Sequence, residues 1–209
     1  MDIAIIDYGI GNLRSAEKAF QHLGFDANLV QDPYKLEDAT KIVLPGVGAF
    51  GQCMASLRKH EFVVPLLEAV AAGKPLLGIC VGMQMLFERS EESPEEKGLG
   101  LLKGSVVRFA GASFSGPEAL KIPQIGWNGL EFPTPKHPLF TDVTPGAHVY
   151  FVHSFHAQPQ DASDALAYAN FGTRFCAAAG RGKVAGVQFH PEKSQRVGLQ
   201  ILNNFGKLC

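Results

Sequence analysis

The chain has 209 residues, 46% of them hydrophobic, enough for a sizeable core in a single domain spanning residues 1–209. With 19 basic and 20 acidic residues, a formal net charge of -1 and no long run of either sign, it carries no electrostatic footprint for nucleic acid or an anionic membrane. No charged-then-apolar leader and no apolar run near about 18 residues is present, so the expected location is the cytoplasm.

Residues 2–7, DIAIID, read as a buried strand, and Leu13, Ala16, Ala19, Phe20 and Leu23 mark one face of the helix that follows, ended by Gly24. ANLV (27–30) and KIVLPG (41–46) are further strands, with helical patterns through Phe50, Met54 and Leu57 and again from Pro65 to Ala72. Strand and helix alternate, which predicts an α/β fold with a parallel-rich central sheet between helical layers and a site beyond the carboxyl ends of the strands. In KPLLGICVGMQMLFE (74–88) a buried strand breaks at Cys80 and resumes as a helix. SEESPEEKGLG is a charged loop. After it come short, partly antiparallel β runs: LLKGSVVRF, LKIPQIGWNGLEF, HVYFVHSFHA, ALAYANF, FCAAAG and KVAGVQF. A final helix carries Val197, Ile201, Leu202, Phe205 and Leu208 on its apolar face.

Chemistry concentrates at three places. Cys80 is flanked by Gly78 and Gly82, the small neighbours a strained nucleophile elbow needs. N–H groups at the start of a helix near Val81 favour the thiolate. PGVGAFG (45–51) is a glycine-rich turn directly after a strand, where a second oxyanion N–H is supplied beside such an elbow. GVQFHPEKS (186–194) ends a strand with His190 and Glu192, a base and the carboxylate that orients it.

Other features are weaker. DYGIGNLR (7–14) has a Gly-x-Gly, but Arg14 holds the third glycine position and Val30 and Gln31 end the second strand without an acid, so it reads as a tight turn. His153 and His156 sit in one strand with opposite facings. His22, His60, His137 and His148 read as surface or helix-end residues, and no metal or cofactor is expected. Cys53 and Cys176 read as small core residues and Cys209 as a terminal thiol, with no disulfide frame.

Taken in order, PGVGAF, GICVGMQ and FHPEKS resemble the motifs of the class I, or triad, glutamine amidotransferases over essentially the whole chain. DYGIGN, KIPQIGWN and YFVHSF are similar to those of the glutaminase subunits of imidazole glycerol phosphate synthase. The resemblance implies a three-layer, flavodoxin-like amidotransferase fold, L-glutamine as substrate and a heterodimer with a (β/α)8-barrel cyclase that receives the ammonia. It makes Cys80 the nucleophile, His190 the general base and acid and Glu192 its partner. The N–H of Val81 and one from Gly46, Val47 or Gly48 would hold the oxyanion. Gln84, Ser154, Phe155 and Glu92 fall where relatives contact glutamine, although Gln84 also suits a polar group on the buried side of its helix and Glu92 a solvated loop carboxylate. Trp127, on a Gly-Trp-Asn turn, suits a protein interface, joined by Asn12, Asn128, Tyr150 and Lys193. Phe155 stands where many relatives carry tyrosine. The alternatives are a glutaminase subunit of another synthase, a free γ-glutamyl hydrolase and a non-enzymatic binding module.

Overall fold

Strands covered on both faces carry apolar side chains on both, which is why the first strands of this chain are nearly continuous hydrophobic runs. In the computed structural model, which describes residues 1–208, β1 (Ile3–Ile6) is wholly buried. It leads into α1 (Leu13–His22), whose Ala16, Ala19 and Phe20 face the core. β2 (Ala27–Val30) and β3 (Lys41–Gly46) keep the bounds read from the sequence, and between them lies a 3-10 turn over Pro33–Asp38 that the sequence reading did not include. The segments α2 (Phe50–Lys59), α3 (Val63–Ala71) and β4 (Leu76–Cys80) complete the alternating half.

Then follow α4 (Val81–Gln84), β5 (Arg89–Ser90), β6 (Gly104–Arg108), β7 (Gln124–Gly129), β8 (His148–His153) and β9 (Phe155–Pro159). The chain continues through β10 (Ala165–Asn170), β11 (Arg174–Arg181) and β12 (Val184–Val187) to α5 (Gln195–Lys207). The large sheet runs β2-β1-β3-β4-β12-β11-β9-β6-β5, with β10 paired to β11, and β7 and β8 form a small sheet of their own. From β2 to β12 the neighbours are parallel. β11 is antiparallel to β12 and to β10, and β9 is antiparallel to β11 and to β6.

This order positions the site. β3, β4 and β12 are adjacent and point the same way, with Gly46 opposite Cys80 and Ile79 opposite Val187 in register. The glycine-rich loop, the cysteine corner and the segment leading to His190 therefore leave the sheet side by side, at the edge where open α/β sheets bind ligands.

Three local expectations are corrected. The helix after Cys80 is one turn long instead of running on to Glu88. The carbonyls of Met85, Leu86, Phe87 and Glu88 accept instead from the N–H groups of Leu99, Leu102, Gly100 and Gly98 at 2.8, 2.9, 3.2 and 3.0 Å. Glycine permits this approach, since a Cβ on Gly98 would meet the Phe87 carbonyl oxygen at 2.0 Å. Residues 148–157 form two strands. The chain changes sheets at Ser154, whose carbonyl accepts from Phe109 N–H at 3.1 Å. Trp127 lies within β7, opposite Tyr150, and not on a turn. Cys209 is outside the described residues.

Candidate active site

Cys80 has φ 55° and ψ −113°, a left-handed backbone that a side chain adopts only under constraint, and here the constraint is packing on both sides of the corner. A Cβ on Gly82 would lie 1.9 Å from the Leu44 carbonyl oxygen, and one on Gly78 would lie 2.6 Å from that of Gly82. Both flanking glycines are thus required by contact between backbones. The turn presents Cys80 to a cleft of about 610 Å³ that Val81, Val47, Gly48, Gln84, Glu92, Ser154, Phe155, His190, Asn12 and Lys193 also line. Gly46 lies behind that wall, with its α-carbon packed on the Val81–Gly82 peptide. Among the described residues the N–H groups of Val47 and Gly48 donate to no protein acceptor, so both are available to an anion.

His190 follows β12, and its Nδ1 contacts Glu192 Oε1 at 2.9 Å. The turn is tied to β8. His190 N–H donates to the Tyr150 carbonyl at 2.9 Å, and Ser194 Oγ donates to the His190 carbonyl at 2.6 Å while accepting from Tyr150 N–H at 3.0 Å. The Glu192 side chain is 2% exposed, and its Oε1 also accepts from Asn12 Nδ2 at 3.1 Å. Its Oε2 is buried without a partner among the described residues, beside a cavity bordered by Asn12, Pro45, Gly46, Val47 and His190. Glu192 thus stands behind His190, outside the main cleft. The turn at Asp7–Arg14, read from sequence as non-chemical, delivers Asn12 to this carboxylate.

Two histidines on the same cleft are driven in opposite directions. Burial pushes His190 down, but the Cys80 sulfur and the Glu192 carboxylate push it up by more, to about 10. Burial pushes His153 down to about 3, so it is neutral. His153 Nδ1 lies 2.9 Å from the Phe155 carbonyl and Nε2 lies 3.0 Å from Gln124 Oε1, so the neutral ring donates its one N–H to one of these two oxygens. Of the two, His190 is the ring that interacts with the Cys80 sulfur, whereas His153 shapes the wall at 154–155.

Gln84 is 3% exposed, on the buried side of its helix. It lines the cleft, and its amide donates to the Phe155 carbonyl at 3.1 Å and to Gln188 Oε1 at 3.0 Å. Gln188, which the sequence reading missed, reaches Cys80 Sγ with its Nε2 at 3.9 Å. Its signal was a polar residue inside an apolar strand, two positions before His190 and so on the same face. Glu92 is half-buried and not a solvated loop carboxylate, because its Oε2 accepts from Phe50 N–H at 2.8 Å and caps α2.

On the outer face of β7, Ile125 is 64% and Trp127 46% exposed, and the Trp127 ring meets Tyr150 edge-on at 5.9 Å. Asn128 lies on the opposite face, and its Nδ2 donates to the Asn170 carbonyl at 2.7 Å. The exposed Lys193 stands at the mouth of the cleft. Among the described residues Cys53, Cys80 and Cys176 are free thiols, no group of three or more His, Cys, Asp or Glu could hold a metal ion, and no helix is long and apolar enough to cross a membrane.

Replacing Glu192 by glutamine removes one of the two charges that raise His190. The sign follows from a raised base: the protonated imidazole is favoured below 6.5 in any state and is lost in the folded protein as pH rises through about 10. With Glu192→Gln the alkaline limb of kcat/KM for glutamine hydrolysis is expected to move to lower pH, and kcat to fall about 10²-fold or more. A pH–rate profile of both proteins checks this, and an unmoved limb contradicts it.

Comparison with known proteins agrees with this architecture. The sequence model of the family described as "Glutamine amidotransferase class-I" matches residues 4–208. The chain is 50% identical over 206 residues to "Imidazole glycerol phosphate synthase subunit HisH" of Syntrophotalea carbinolica, covering 99% of this chain and 100% of that one. The protein of the same name from Geobacter sulfurreducens is 49% identical, with 99% and 98% covered. Among solved structures, one described as "Crystal structure of glutamine amidotransferase" superposes with a TM-score of 0.75 at 21% identity, covering 99% of this chain and 100% of that one. At that identity it speaks for the fold alone.

Proposed function

The chain belongs to the class I glutamine amidotransferase family, and on that footing we propose that it hydrolyses glutamine as the glutaminase subunit of an imidazole glycerol phosphate synthase. The observation that carries the chemistry is the convergence of Cys80, the 46–48 loop and the His190–Glu192 pair on one cleft. The relatives, near 50% identical along the full chain, are named as subunits of imidazole glycerol phosphate synthase, which supports the synthase, and the pathway, histidine biosynthesis, and the cyclase partner follow from the resemblance read in the sequence.

In this reading the Cys80 thiolate, paired with the His190 imidazolium, attacks the side-chain carboxamide carbon of glutamine and forms a C–S bond. The N–H of Val81 and one from the 46–48 loop hold the negative oxygen. As the C–N bond breaks, His190 gives its proton to the leaving nitrogen and ammonia departs. Water, deprotonated by the same imidazole, cleaves the γ-glutamyl thioester and frees glutamate. Glu192 keeps the ring oriented and its charged form favoured. Gln84, Ser154, Phe155 and Glu92 frame the rest of the substrate, with Glu92, the acidic side chain among the residues that line the cleft, serving its ammonium. The cyclase covers the exposed Ile125–Trp127 face and receives the ammonia. Asn12 and Lys193 line the cleft and Tyr150 meets Trp127, which supports a partner seated beside the cleft. Residues 1–209 work as one domain, in the cytoplasm, where this biosynthesis runs.

Glutamate release is to be measured with the chain alone and with the cyclase and an acceptor analogue. Release that rises at least about tenfold with the partner is expected, since the Gly46–Val47 peptide is free to turn. No release in either case contradicts the reading.

A further inference from the structure

The glycine-rich loop is held from behind by two side chains that do not line the cleft. Tyr8, just beyond β1 and wholly buried, donates its hydroxyl to the Pro45 carbonyl at 2.7 Å. Cys53, on the inward face of α2 and wholly buried, donates its thiol to the Val47 carbonyl at 3.3 Å. Burial pushes both groups above their ordinary ranges, so each keeps its proton and remains a donor at working pH. The far end of the segment is clamped as well. Glu92 accepts from Phe50 N–H at 2.8 Å and Ser93 Oγ accepts from Gly51 N–H at 3.2 Å.

A trans peptide fixes its C=O and N–H antiparallel, so a carbonyl gripped from one side aims the following N–H to the other. The grip on Val47 O therefore turns the Gly48 N–H away from Cys53, and the grip on Pro45 O fixes the plane in front of Gly46. Gly46 itself cannot slide, because its α-carbon is wedged so closely that an added Cβ would stand 2.7 Å from Gly82 N and 3.1 Å from the Tyr8 hydroxyl. What remains free to turn is the Gly46–Val47 peptide between two held planes.

We propose that Tyr8 and Cys53 are positioning residues that grip the loop by the carbonyls of Pro45 and Val47 and so set where its N–H groups stand relative to Cys80. This rests on the glutaminase reading above. Neither side chain touches glutamine, so they act on the step in which charge gathers on the substrate oxygen and not on binding.

The test uses Tyr8→Phe, Cys53→Ala and Cys53→Ser in the chain with its cyclase partner. Readouts are kcat and KM for glutamine, the melting temperature, and the rate at which iodoacetamide alkylates Cys80, followed on its peptide. Alkylation displaces iodide and builds no oxyanion, so it reports thiol reactivity alone. For Tyr8→Phe kcat is expected to fall about tenfold, and for Cys53→Ala about threefold, with KM within about twofold of wild type and alkylation unchanged. Cys53→Ser, which keeps a donor, recovers most of the loss. Unchanged kcat, a loss confined to KM, a parallel loss of alkylation, no recovery with serine, or losses that merely track the melting temperature each overturn the proposal while leaving the glutaminase reading standing. A wild-type complex that releases no glutamate overturns that reading and this proposal with it.

Discussion

Replacing Cys80 by alanine is expected to lower glutamine-dependent synthesis by the two-subunit complex by at least about 10³-fold, while synthesis from added ammonium salt continues at the wild-type rate. The asymmetry follows from geometry. Among the described residues Cys80 is the one thiol on the cleft. Cys53 lies beneath the loop with its thiol committed to the Val47 carbonyl, and Cys176 is buried in β11 with its thiol on the Ala178 carbonyl at 3.1 Å. The fold is expected to survive, because removing one sulfur from a turn held by backbone contact leaves those contacts in place. Equal loss of the glutamine and ammonium rates contradicts the assignment and indicates damage to assembly.

The second large effect concerns the turn itself. Gly82→Ala places a Cβ 1.9 Å from the Leu44 oxygen and 2.9 Å from its carbonyl carbon, both backbone atoms of a strand locked on either side. Leu44 is paired with Gly78 in β4, and β1 flanks β3 on its other edge, so neither strand can retreat without breaking a ladder. Such an overlap costs about 3 kcal/mol or more. For a chain of this size that corresponds to a fall of about 6–12 °C in Tm. Glutamine hydrolysis is expected to be lost as well, since relief comes most easily from turning Cys80 out of its strained conformation. Thermal unfolding and activity measured together check this. A Tm within about 2 °C of wild type, with activity intact, contradicts the account of the corner.

How much of this was legible in the sequence varied along the chain, for physical reasons. β3 has the bounds read from KIVLPG because a buried parallel strand is written as an unbroken local run, and β2 keeps those of ANLV at the sheet edge although its Asn28 is exposed. The corner was legible because glycines two residues either side of Cys80 are the local trace of a tight backbone contact. Long-range choices left less trace. Nothing local in YFVHSFHA says that the chain leaves one sheet for another at Ser154, since that depends on β6 and β11 being there to receive β9. The helix after Cys80 was over-extended because Met85, Leu86 and Phe87 suit a buried helix, while residues 98–102 take the carbonyls that would have continued it. Glu92 looked solvated because its partner, the N–H of Phe50, is 42 positions away. Gln188 escapes a sequence reading for the same reason, because its partners Gln84 and Cys80 are 104 and 108 positions away.

The most direct test of the account is to follow the nitrogen. The complex is supplied with glutamine labelled with ¹⁵N in its side-chain amide, together with unlabelled ammonium at a concentration that supports synthesis. The imidazole glycerol phosphate formed is then analysed for label. The account predicts labelled product from the wild type and only unlabelled product from Cys80→Ala. Labelled product from Cys80→Ala, or none from the wild type, would contradict it.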